Sequence, residues 1–187
     1  MKRAPSIALI AVLICAALGA AQNPPKPLKP GPEVQKLAYF LGTWKSEANL
    51  QPSPFGPGGK FTGWEHNEWM PGGFFIVEHT KGSTPMGNAT GIAFMGYDPE
   101  RKVYIYNAFS SLGEAEAATG TVNGDTWTWT NQQPMNGKMM KGRFTMTITS
   151  PTAYTMKFEM GPVDGDYATI MEGTVTKVVT KASAKKK

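Results

Sequence analysis

The chain has 187 residues, 19 of them basic and 14 acidic, for a net charge of +5 and a single cysteine. Eight basic residues fall outside residues 33–177, which leaves 11 against 14 acidic ones across the part able to fold, a balance of −3. A nucleic-acid binder gathers its positive charge on one folded face, so nucleic acid is excluded as the main partner.

Residues 1–21 read as a secretory signal peptide. Lys2 and Arg3 supply the positive start, Ile7 to Leu18 an apolar run, and Gly19-Ala20-Ala21 the small residues that signal peptidase needs, so the mature chain would begin near Gln22. The apolar run is 12 residues long, too short for a bilayer that takes about 20. The expectation is an exported, periplasmic or secreted protein with no stable membrane anchor after cleavage. Cys15 lies in the segment removed, so thiol nucleophiles, disulfides and Cys-ligated metals are excluded.

Residues 22–32 hold five prolines and read as an extended linker. A helix follows. Pro32 suits a first helical position and Glu33 the positive end of its dipole. Val34, Leu37, Ala38 and Leu41 then recur at helical spacing, and Gly42 ends the run.

Everything beyond is strand and turn. Trp44, Ser46, Ala48 and Leu50 alternate with polar residues, as do Trp127 and Trp129 with Thr126, Thr128 and Thr130. Asp98-Pro99-Glu100-Arg101, Asn123-Gly124-Asp125 and Asn136-Gly137 are turn signals. Asp164-Gly165-Asp166 reads as a turn, since it lacks the further ligands of a calcium loop. The count is about ten short strands between Gly42 and Val179. One domain, residues 33–179, is expected as an all-β, single antiparallel up-and-down barrel with one short N-terminal helix, because closure removes exposed edges. Residues 180–187 read as a disordered basic tail.

The helix running into Gly42-Thr43-Trp44 resembles the opening of lipocalin barrels, where G-x-W lays a Trp across the closed end. The longer pattern of Leu37, Leu41 and Gly42-Thr43-Trp44, then Pro71-Gly72-Gly73-Phe74-Phe75, then Gly96-Tyr97-Asp98, resembles the bacterial family of unknown function numbered 1579, across Val34 to Lys177. The resemblance implies a lipocalin-like barrel closed by Trp44. Members usually carry Arg after the paired glycines, where this chain has Phe74, and an Arg on the last strand, where it has Thr176-Lys177. Lys177 is expected to stack on Trp44 in place of that Arg.

Candidate chemistry divides three ways. Ten methionines follow Met1, and a Met-lined wall adapts to apolar ligands of varied shape. Phe94, Met95, Phe144, Met146, Met156, Phe158, Met160, Ile170 and Met171 are the expected lining of a cavity for a small apolar or amphipathic molecule, or else the filling of a solid barrel. A two-residue loop at Gly72-Gly73 would place His66 opposite His79, with Glu68 on the same face, a candidate metal trio that a one-residue slip would destroy. Haem held by a C-terminal His is ruled out, because no His follows His79, and no cofactor is expected.

No Ser stands in a G-x-S-x-G elbow and neither His has triad context, so no catalytic residue is assigned. Glu114 and Glu116 share a strand face and are better read as a solvated strand end than as an acid pair. Trp127 and Trp129 would be core if they face in and a stacking platform if they face out; Thr on the other side favours the former. Three functions remain open: an exported small-molecule-binding barrel, a filled structural or interaction protein of the cell envelope, and a metal-dependent enzyme using His66 and His79. Ligand identity and oligomeric state are not encoded in any motif.

Overall fold

The structure is a computed structural model describing residues 28–54 and 56–179. The expected signal peptide, most of the Pro-rich linker and the basic tail lie outside the described residues.

Ten antiparallel strands close into one barrel in chain order, with β1 returning to pair with β10. They are β1 Gly42–Leu50, β2 Gly59–Trp69, β3 Ile76–Thr84, β4 Gly87–Asp98 and β5 Val103–Ser110, then β6 Ala115–Asn123, β7 Thr126–Met135, β8 Lys138–Ser150, β9 Ala153–Pro162 and β10 Ala168–Lys177. Every strand is hydrogen-bonded on both sides, so no edge is left to recruit another chain. Asn136 and Gly137, at φ 50° and 77°, make the left-handed hairpin turn that Asn-Gly favours between β7 and β8.

The helix is shorter than its periodicity suggests. α1 covers Pro32–Lys36 and continues as a 3₁₀ turn over Leu37–Phe40. Val34, Leu37 and Phe40 are the buried positions, three residues apart, which is the period of the tighter helix rather than of an α-helix. Phe40 therefore takes the place expected for Ala38 and Leu41. Gly42 adopts φ +96°, and a Cβ there would stand 3.3 Å from the Lys177 side chain. Glycine both turns the chain into β1 and leaves room for that lysine.

The β2–β3 connection also differs in detail. The ladder ends at Trp69 and Ile76 instead of running to Pro71 and Phe74, since Pro71 has no N–H to contribute. A turn closes it, Gly73 N–H donating to Met70 O at 2.9 Å and Met70 N–H to Phe75 O at 2.8 Å. The extra length is symmetric, so His66 still pairs with His79.

The core gathers at one end. Leu37, Phe40, Trp44, Tyr104, Trp127 and Tyr154 pack there, with Phe40–Trp127 ring centroids 5.0 Å apart and Tyr104–Trp127 4.7 Å apart. Trp127 and Trp129 face in, as the threonine alternation indicated, and Gly120 opposite Trp129 leaves space for its ring. The connections at 51–54 and 56–58, 85–86, 111–114, 136–137 and 163–167 stand at the other end, which is the mouth of the barrel.

Candidate functional site

The closed end is built from the helix inward. Trp44 is fully buried and its indole N–H donates to Phe40 O at 2.7 Å, while Asn67 Nδ2 donates to the same carbonyl at 2.9 Å. Both bonds satisfy a carbonyl that the end of the helix would otherwise leave orphaned. The Tyr39 hydroxyl reaches Ser150 O and Ala153 O at 3.0 and 2.9 Å, tying the helix to the β8–β9 turn. Lys177 pairs with Trp44 across β1 and β10 and holds its ammonium 5.1 Å from the ring centroid, within range of a cation–π contact.

Above this plug lies a cavity of about 310 Å³. That is the lower end of the range for small-molecule sites, and an eight-stranded barrel is only just wide enough to fill itself or hold one small ligand. Ten strands leave the space. A second hollow of about 310 Å³ toward the mouth shares Ser46, Phe61, Glu65, Tyr106 and Glu116 with it. Around the mouth Met86, Phe109, Leu112 and Met139 are exposed.

Of the expected lining, Met95, Phe144, Met146, Met156, Phe158 and Met171 border the cavity. Phe94, Met160 and Ile170 do not. Phe94 neighbours the inward Met95 and so points to the outer face. Ile170 sits in a bulge between Thr169 and Met171, without a β9 partner, and its carbonyl instead accepts from Gln51 N–H at 2.8 Å. Met160 keeps the parity of Met156 and Phe158 but pairs with Gly142 and Ala168, nearer the mouth.

The metal trio does not assemble. His66 and His79 are cross-strand partners, but on the face opposite to inward Glu65 and Glu78. His66 Nδ1 is 3.0 Å from the Thr43 hydroxyl and its ring stacks on Trp64, 6.1 Å between centroids. Glu68 is exposed beside Val77. Among the described residues no group of three His, Cys, Asp or Glu stands close enough to hold a metal ion. Glu114 is exposed, as expected, and accepts from the Ser110 hydroxyl at 3.0 Å. Glu116 stands at the rim and accepts from Asn131 Nδ2 at 3.1 Å.

Polar groups inside the barrel are what sequence reading passed over. Glu65, Asn67 and Glu78 all border the cavity, as do Tyr106 and Tyr154. The Tyr154 hydroxyl donates to Glu65 Oε1 at 2.9 Å, and the Tyr106 hydroxyl lies 3.5 Å from Glu78 Oε1. Glu78 is 8% exposed; Glu65 is half-buried because it fronts the cavity. Burial, then the neighbouring Glu65 charge, pushes the Glu78 carboxyl up to about 8, and the bond from Tyr106 only partly offsets this. Burial raises Glu65 too, against the bond from Tyr154. The same register that pairs His66 with His79 pairs Asn67 with Glu78 and Glu65 with Thr80. That register puts Glu65, Asn67 and Glu78 on one face of the two strands, and closure of the barrel makes it the inner one.

Residues 29–177 match the family described as Protein of unknown function (DUF1579). The chain belongs to that family. Two solved structures share the barrel of this DUF1579 protein. Rv2717c from M. tuberculosis is 11% identical at TM-score 0.56, covering 81% of this chain and all (100%) of its own. The S-type phycobiliprotein lyase CPES from Guillardia theta is 10% identical at TM-score 0.51, covering 80% of this chain and 93% of its own. No curated protein matches the chain.

Proposed function

We propose that this DUF1579 protein binds a small apolar or amphipathic molecule inside its barrel. The observation that carries the reading is the cavity of about 310 Å³, walled by methionine and phenylalanine on β4, β8, β9 and β10. A filled barrel would have spent those side chains on itself. Burying hydrocarbon against such a wall gains about 25 cal/mol per Å² of apolar surface. Met side chains let the wall adjust to the shape of what enters.

The plugged end leaves the mouth as the route in. Exposed Met86, Phe109, Leu112 and Met139 there offer an apolar rim to an arriving ligand. The signal expected over residues 1–21 supports a role beyond the cytoplasmic membrane.

A titration with the neutral fluorophore phenylnaphthylamine tests the reading. Saturable enhancement is expected, with energy transfer from Trp129 on the cavity wall. Ala118, which borders the cavity, is the place to block it: Ala118→Phe should weaken binding by roughly tenfold or more, the cost of losing about one bulky group's worth of space. Absence of saturable binding to the wild-type protein would sink the proposal.

A further inference from the structure

Resting on that reading, we propose that the ligand carries a protonated amine, which docks on Glu65, Glu78 and the amide oxygen of Asn67 while its apolar part lies along the Met and Phe wall.

Three residues of β2 and β3 that carry acceptors, Glu65, Asn67 and Glu78, border the cavity. Glu78 and Asn67 face each other across the two strands, and Glu65 lies one inward position further along β2. Asn67 is 3% exposed, its Nδ2 is spent on Phe40 O, and its Oδ1 has no hydrogen-bond partner. A buried acceptor left unpaired costs about 1–3 kcal/mol. The tyrosine hydroxyls of β5 and β9 each have one proton, which their carboxylates already take. Among the described residues, none lining the cavity is Lys, Arg or His, so the lining offers neither carboxyl a counter-ion. What the site lacks is positive charge. An ammonium group supplies it, together with three N–H bonds for the three acceptors.

The electrostatics agree. Burial favours the protonated form of both carboxyls, and the neighbouring Glu65 charge adds to this at Glu78. An ammonium displaces that proton to solvent and takes its place. The groups facing Glu78 are Glu65 from β2, Tyr106 from β5, Glu116 from β6 at the rim and Tyr154 from β9. Lys81, on β3 beside the outer hollow, turns to the outside and lies over Trp64.

The test uses decylamine, decanol and decanoate to displace phenylnaphthylamine from the full chain at about pH 8, near the Glu78 midpoint and with decylamine still charged. Decylamine is expected to bind roughly tenfold more tightly than decanol, the value of hydrogen bonds to a charged group, with decanoate weakest. Glu65→Gln and Glu78→Gln should each erase most of that preference of decylamine over decanol. Near-ultraviolet circular dichroism checks that both variants keep the fold, and the wild-type ranking decides the matter without them. Equal binding of the three, a preference for decanoate, or failure of all three to displace the fluorophore overturns the amine assignment and leaves the cavity reading standing. Only failure of the fluorophore itself to bind removes both.

Discussion

Glu78 shows what a single buried carboxyl does to the molecule. Its midpoint in the folded chain lies at about 8, above the ordinary 4.5. A raised folded value means the folded state holds the proton more tightly, so the contribution to stability is complete below about pH 4.5 and is lost as pH rises through 8. The free protein is expected to lose on the order of 4 kcal/mol between pH 5 and pH 9 from this group, read by urea denaturation across that range. Glu78→Gln, which keeps the size and removes the titration, should flatten the profile. An unchanged slope in the variant would assign the pH dependence elsewhere. Residues of this kind are hard to read in sequence, because a Glu in an alternating strand is ordinarily a solvent-side residue. The paired histidines, the more conspicuous feature in sequence, occupy the other face of the same two strands. Only the closed barrel, by fixing which face of β2 and β3 is inner, turns Glu65 and Glu78 inward.

At the scale of elements, the short helix and its 3₁₀ continuation determine which end of the barrel is shut. Phe40 is 2% exposed and contacts Tyr39, Trp127 and Tyr154. Phe40→Ala is expected to cost about 3–5 kcal/mol, measured as a lowered denaturation midpoint with unchanged slope. Tyr39→Phe, which removes the bond from the helix to the β8–β9 turn, should cost about 1 kcal/mol in the same assay. The helix was legible in sequence from Pro32 and its apolar spacing, but not its tightening to three residues per turn, which follows from docking Phe40 under Trp44. The strands were legible throughout, because alternation and turn residues fall in step. The β2–β3 ladder stops short of Pro71 and Phe74, yet its register is the one a Gly72-Gly73 turn implies, since the unpaired residues fall equally on both arms.

For the whole molecule, ten strands closing in chain order explain both the plug and the space above it. Sequence supplied the number of strands and most of the Met and Phe wall. It left open whether the barrel was hollow, because volume depends on how ten inner faces meet and not on any one of them. The bulge at Ile170 and the outward Phe94 show how one residue's shift removes a side chain from the lining. The apolar wall, the acceptors beside the plug and the exposed residues at the mouth are the features on which the proposed binding of one small molecule rests. Native mass spectrometry of the protein purified from its own host tests that most directly. A single adduct of a few hundred daltons is expected on the wild-type chain, and it should be absent from Ala118→Phe. A wild-type spectrum at the bare mass of the chain, together with no binding of phenylnaphthylamine in titration, would contradict the account.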